Sequence, residues 1–312
     1  MSLTPGESAD PTRHPRVSVL IGTWGRGATV APAVASVLSS DHPSFELVVV
    51  DQNDDDTTGA ALDPFRADPR LIYQKSKTKG SGRARNAAVA LARGDYLAFT
   101  DDDCTVPPEW LQTIEKIFDD NERVGVVFCN VIAGEFDKAA GFIPDYVREG
   151  DALVSNMRQK CRARGIGAGM AVRRTALVDV GGFDNLLGPG ARFPGYVDGD
   201  VAVRSVLRGW QIYETDRVAV IHNGFRSWDQ GRALTQDRWL GIGASLSKPL
   251  KCGRWAVLLP FGYEMGVALR KPLLDLVRFR RPRGLRQAVY LLKGLVTGWR
   301  TRLDRRTLRF DS

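Results

Sequence analysis

Residues 80–103 read GSGRARNAAVALARGDYLAFTDDD. Two glycines open the stretch, residues 84–93 have helical patterning, and the apolar run 96–100 predicts a strand buried on both faces. Three carboxylates, Asp101, Asp102 and Asp103, follow that strand with no spacer. The alternation continues outward on both sides. Residues 17–24, 46–51 and 71–74 are further short apolar runs, and 29–39 and 60–67 between them read as helices. Strand and helix alternating through short loops predict an α/β fold, a Rossmann-like, mostly parallel sheet with flanking helices. Residues 107–121 open with prolines and set Trp110, Leu111, Ile114, Ile117 and Phe118 on one helical stripe, and 124–133 is another strand.

Open parallel sheets bind ligands beyond the carboxyl ends of their strands. Thr23 and Arg26 after the first strand, Asp51, Gln52 and Asn53 after the second, and the three carboxylates after the fourth are therefore expected to converge on one crevice. Adjacent carboxylates repel one another and lose hydration when buried; a divalent cation relieves both, and hard oxygen ligands point to Mg2+ or Mn2+. The bland alternative is a solvated acidic turn that caps the following helix. Asp54, Asp55 and Asp56 are read in that bland way, because Thr57, Thr58 and Gly59 follow them. Asp51 and Gln52 suit a base edge. Neither glycine-rich loop carries a dinucleotide fingerprint. Gly22, Gly25 and Gly27 have the wrong spacing, and Arg85 stands where Gly80 and Gly82 would need a third glycine. The second loop reads instead as a basic entry into a helix, with Arg85 suited to a diphosphate.

Five blocks in order, VSVLIGTWGRG (17–27), ELVVVDQNDDDTT (46–58), residues 80–103, GMAVRRTALVDVGGFD (169–184) and DGDVAVRSVLRGW (198–210), resemble a family 2 glycosyltransferase with the GT-A fold. The resemblance spans residues 16–228. It implies a nucleotide-sugar pocket lined by Gly22, Thr23, Arg26, Asp51 and Gln52, with Arg85 near the diphosphate. It implies that Asp101-x-Asp103 is the DxD motif, Asp103 binding the metal (Mn2+ or Mg2+) while Asp101 and Asp102 contact the sugar nucleotide. Asp198-Gly-Asp200 resembles the family's Glu-Asp-x-Asp motif, with Val197 where Glu is usual. Asp198 would be the catalytic base and Asp200 the fallback, and one base on the far face implies inversion. His222 falls at a metal-coordinating position. From the residues alone, His222 also reads as a structural histidine and Asp200 as a helix N-cap. Gly182 and Asp184, in a tight turn, and Asp200 are expected on the acceptor side, and residues 188–190 with Gly195 suggest a mobile loop.

The composition, 43% hydrophobic and 26% charged over 312 residues, is ordinary for a globular chain and excludes a disordered tail protein or a collagen repeat. The net charge of +8 is concentrated: residues 270–312 hold 13 basic and 3 acidic residues. There, Leu285, Ala288, Val289, Leu292, Leu295, Val296 and Trp299 repeat at helical spacing, a basic amphipathic segment that predicts docking on an anionic membrane surface. The alternative is a helix packed on the catalytic domain. Nucleic acid is not expected as a partner, because aromatic residues are sparse in this segment. The expected organisation is a leader over 1–15, a catalytic domain over 16–232 divided at 133/134 into nucleotide and acceptor halves, and a basic region over 233–312. Four scattered cysteines, no signal-like apolar stretch and no run of membrane-spanning length predict a cytoplasmic protein, peripheral on the inner face of the membrane. The expected partners are a nucleoside-diphosphate sugar and a glycan or glycolipid acceptor. The rival readings are a nucleotidyltransferase and a catalytically inactive partner subunit. Gln236-Asp-Arg238-Trp239 is one residue short of a processive-synthase motif and is read as a decoy.

Overall fold

The computed structural model describes residues 14–311. The leader expected over 1–15 lies, except for its last two residues, outside them. The first half runs β1 (Val17–Thr23), α1 (Val30–Leu38), β2 (Phe45–Asp51), α2 (Thr57–Leu62), β3 (Leu71–Lys75), α3 (Ser81–Leu91), β4 (Tyr96–Asp101), β5 (Cys104–Thr105), α4 (Trp110–Asp120) and β6 (Val124–Ala133). The second half continues with β7 (Gly141–Phe142), β8 (Ala152–Val154), α5 (Met157–Lys160), β9 (Met170–Arg173), α6 (Arg174–Asp179), α7 (Val197–Leu207), β10 (Gln211–His222) and β11 (Arg226–Ser227). Three long helices, α8 (Trp228–Lys251), α9 (Leu258–Val277) and α10 (Leu285–Arg300), precede a short hairpin of β12 (Leu303–Asp304) and β13 (Arg309–Phe310).

The main sheet has the order β3-β2-β1-β4-β9-β6-β10-β5, with β8 also on β10. β3, β2, β1 and β4 are parallel, as are β6 and β10, while β9 runs antiparallel between the two sets. The predicted mostly parallel sheet is therefore present. Its strands alternate in period two between two cores. Leu20, Leu97 and Phe99 point to one side, with α3, α7 and α8, and Val19, Ile21, Tyr96 and Ala98 point to the other, with α1 and α4. The stripe read on α4 is fully buried on that second side.

The boundary expected at 232/233 does not exist as a break. It falls inside α8, and Trp239, Ile242, Leu246, Leu291 and Phe310 share one core with Phe99 and Phe183. α8 and α10 approach closely because Gly243, Gly294 and Gly298 leave their backbones bare: a Cβ on Gly294 would collide with the Leu240 carbonyl, and one on Gly298 with the Ser247 hydroxyl. The basic segment is thus built into the fold by one of its sides.

Candidate functional site

Strand register brings the expected residues together. Gly22 lies beside Asp101, Thr23 beside Asp51, and the antiparallel β5–β10 pair sets His222 against Cys104, one residue from Asp103. Beyond these strand ends is a cavity of about 340 Å³ lined by Gly22, Thr23, Trp24, Arg26, Gln52, Arg85, Asp101, Asp103, Asp198, His222 and Arg226. Two helix N-termini open onto it. α3 begins at Ser81 after Gly80, whose φ of +114° only glycine adopts readily, and α7 begins after Tyr196, a partly buried non-glycine residue at φ +65°. Asp198 sits in the first turn of α7, where the helix dipole favours a carboxylate.

The charges in the cavity are paired. Arg26 pairs with Asp103 and lies 2.7 Å from Asp102, an ion-pair contact rather than an aligned hydrogen bond. Arg226 lies 3.7 Å from Asp103, and Arg85 pairs with Asp198 and lies 3.8 Å from Asp101. Gly167 makes room for the Arg85–Asp198 pair; a Cβ there would collide with both. His222 Nδ1 faces the Pro144 carbonyl at 2.7 Å and Nε2 faces Asp103 at 3.3 Å. Burial lowers the His222 pKa, but Asp103 and the Pro144 carbonyl outweigh it and hold the ring above its ordinary value. Burial raises Asp103, but the His222 hydrogen bond and the charges of Arg26 and Arg226 hold it below the usual carboxylate range. Asp102 differs: burial pushes it up to about 6, against Arg26 and the Thr23 hydroxyl, which donates to it at 2.6 Å.

Ligand atoms of Asp101, Asp103, Cys104 and His222 all lie within 4.8 Å of one another. Gly224 completes this cradle, since a Cβ there would enter the space between Asp103 and His222. Two carboxylates and an imidazole whose other nitrogen is held by a carbonyl fit a divalent cation; Mg2+ prefers oxygen alone, so the histidine favours Mn2+. The Cys104 thiol, raised by burial, is a poor ligand for either.

Several expected residues lie elsewhere. Asp184 and Asp200 do not face an acceptor. Both are fully buried, held by the Lys248 ammonium at 2.7 Å from each, and Asp200 also accepts from Arg204 at 2.8 Å and Ser245 at 2.8 Å. Neither can reach an acceptor hydroxyl, so Asp200 cannot serve as a fallback base; nor is it the cap of α7, whose N-cap is Tyr196. Gly182 is spent in the same region, its carbonyl accepting from Arg204 at 2.8 Å. Asp51 lies behind the cavity, accepting from Tyr73 Oη at 2.8 Å and Asn53 N at 2.8 Å, whereas Gln52 lines it. Asp102 is likewise buried beneath the lining rather than part of it. Val197, at the position of the family's Glu, is almost wholly buried. Residues 188–190 are tied to α3, with Ser81 N donating to the Pro189 carbonyl at 2.9 Å. Asp55 makes the expected turn, accepting from Thr57 N at 3.1 Å.

Two lining residues escaped the sequence reading. Trp24, half exposed at the mouth, sits between Thr23 and Arg26, and its place at a strand end was the available signal. Arg226 had none, because it comes to Asp103 from β11, far along the chain.

A family model described as glycosyl transferase family 2 matches residues 18–177, about half the chain. Among curated proteins, a glucosyl-dolichyl phosphate glucuronosyltransferase of Haloferax volcanii is 26% identical over 187 residues, 55% of this chain and 57% of that protein. The succinoglycan biosynthesis protein ExoO of Rhizobium meliloti is 33% identical over 99 residues, 31% of this chain and 28% of ExoO. The chain therefore matches less than two thirds of the length of these relatives. Among solved structures, S. aureus TarS 1–349 matches with a TM-score of 0.63 at 17% identity, over 91% of this chain and 81% of that one. The mannosyltransferase PcManGT from Pyrobaculum calidifontis, in complex with GDP-Man and Mn2+, matches with a TM-score of 0.60 at 19% identity, over 93% and 89%. At such identities the likeness shows the fold, GT-A.

Proposed function

The chain belongs to glycosyl transferase family 2, and from that premise we propose that its crevice catalyses inverting, cation-dependent transfer of a sugar from a nucleoside-diphosphate sugar to a hydroxyl of a cell-surface polysaccharide or lipid-linked glycan. The reading is carried by the arrangement of Asp198, Arg85, Asp101, Asp103 and His222 around one cavity. Gln52 and the backbone of Gly22 and Thr23 would receive the nucleoside, with Trp24 at the mouth offering an indole face to a base. Arg85, at the start of α3, and Arg26 would turn to the incoming diphosphate, exchanging carboxylate partners for phosphate oxygens at little cost. A divalent cation held by Asp101, Asp103 and His222 would act as a Lewis acid on the departing diphosphate.

Release of Arg85 frees Asp198. Its carboxylate then accepts the proton of the acceptor hydroxyl as that oxygen attacks the anomeric carbon from the face opposite the leaving group. With Asp101 and Asp103 holding the cation, Asp198 would be the carboxylate left on the acceptor face; taking the proton of the acceptor oxygen rather than attacking the anomeric carbon itself, it would give a single displacement with inversion. The names of the Haloferax and Rhizobium relatives, which refer to a dolichyl-phosphate glycan and to succinoglycan, favour a glycan acceptor.

The test is Asp198→Asn. Transfer should fall by about 10²–10⁴-fold, the usual share of a general base, while the donor, with Mn2+ present, still raises the melting temperature as it does for the unaltered chain. Loss of that thermal shift would make Asp198 a structural residue. Wild-type protein that neither transfers sugar to any acceptor nor hydrolyses UDP-, dTDP- or GDP-sugars would favour the inactive partner subunit.

A further inference from the structure

Helix α9 is amphipathic the wrong way round. Its buried stripe is Pro260, Glu264, Ala268, Pro272 and Asp275, whereas Leu258, Leu259, Leu273, Leu274, Leu276 and Val277 are 45–76% exposed. Helix α10 has two apolar sides. Ala288, Leu291, Gly294 and Gly298 are buried, while Leu285, Val289, Leu292, Val296 and Trp299 are turned outward. Between the helices, Phe279 is completely exposed at φ +53°. Large apolar side chains left outward on two neighbouring helices call for a cover.

Charge identifies the cover. Residues 254–302 contain eleven basic residues and two acidic ones. Both acids are occupied by the protein, Glu264 with Arg164 and Asp275 with Arg283 at 2.8 Å. Arg278, Arg280 and Arg281 flank Phe279. A second copy of the chain in a twofold contact would press this cationic patch on itself. A soluble polyanion would neutralise the arginines and leave the leucines wet. An anionic bilayer satisfies both, and no helix among the described residues is long and apolar enough to cross it.

We propose that α9, the 278–284 turn and α10 form a seat on an anionic phospholipid surface, with Phe279 and the outward leucines in the acyl boundary and the arginines among the phosphates. This inference stands apart from the transfer reaction. α8 packs along α10 and carries Leu234 at the crevice, so a seated chain holds its crevice at a fixed attitude to the membrane.

The experiment is sedimentation of the full chain with vesicles of phosphatidylcholine alone or with about a third phosphatidylglycerol, at low and high salt, beside light scattering of the free protein. Binding should require the anionic lipid and weaken with salt. Replacing Arg278, Arg280 and Arg281 by Gln should lower partitioning roughly a hundredfold, at about fivefold per charge, and Phe279→Ser by about tenfold. Donor-induced thermal stabilisation should be unchanged in both variants, which separates failure of the seat from failure of the active site. Vesicle binding unaffected by either variant would overturn the seat. So would a wild-type dimer that Phe279→Ser converts to monomer, since the face would then belong to a second copy.

Discussion

Lys160 shows how burial alone sets a pH response. It is buried in α5, donates to the Ala163 carbonyl at 2.6 Å, and burial lowers its pKa from 10.5 to about 8, with Glu214 and Glu264 opposing. Below about pH 8 both folded and unfolded chains carry the proton, and the full cost of a buried ammonium is present. Between about 8 and 10.5 the unfolded chain binds more protons than the folded one, so this residue's contribution makes stability rise with pH. Lys160→Met should therefore exceed the unaltered chain in stability at neutral pH, by on the order of 2 kcal/mol, and the difference should vanish near pH 10.5. Urea unfolding across that range measures it; a pH-independent difference would mean the hydrogen bond, not the charge, dominates. Residues differ in how far they can be read from sequence. Asp101 and Asp103 were legible because an apolar strand ends at them. The occupied state of Asp184 and Asp200 was not, because their cation, Lys248, lies 64 and 48 positions away.

At the scale of elements, α7, α8 and the terminal hairpin meet at Lys248. Its ammonium holds Asp200 of α7 and Asp184 of the preceding turn, and Asp184 also accepts from Phe310 N at 2.8 Å. Asp198 lies two residues before Asp200. A buried pair contributes little against a hydrophobic replacement, but removing one partner strands the other charge. Lys248→Met should cost about 3–5 kcal/mol for that reason, read from the denaturant midpoint. A loss below 1 kcal/mol would mean that Arg204 and Ser245 suffice for Asp200, and the N–H groups of Leu186 and Phe310 for Asp184. Helices α9 and α10 show the limit of periodicity. The repeat in α10 marked an apolar side correctly, yet a helix with two such sides leaves open which one the protein covers. In the fold the predicted stripe is split: Ala288 turns inward with Leu291 and the glycines and Leu295 packs partly against the core, while Leu285, Val289, Leu292, Val296 and Trp299 face outward.

In the whole molecule, the sheet and the three long helices share one core. A chain ending at residue 232 would lose Trp239, Ile242, Leu246, Leu291 and Phe310 from the core they share with Val201, Phe183 and Phe193, and leave Asp200 without its ammonium. Such a chain should show no cooperative unfolding transition by circular dichroism. A sharp transition near the full-length midpoint would establish the independent catalytic domain that the sequence suggested.

Read alone, the sequence settled what local pattern can settle. Short apolar runs separated by helical periods specify a parallel sheet, the polar clusters at strand ends mark its crevice, and the basic excess marks one end of the chain. The three-dimensional structure decided which carboxylates remain available for chemistry, that His222 and Arg226 reach Asp103, and that the basic helices share the catalytic core. The reason is physical. Periodicity acts within a few residues, whereas the neutralisation of a buried charge and the choice of which helix side is covered depend on groups brought together across the fold.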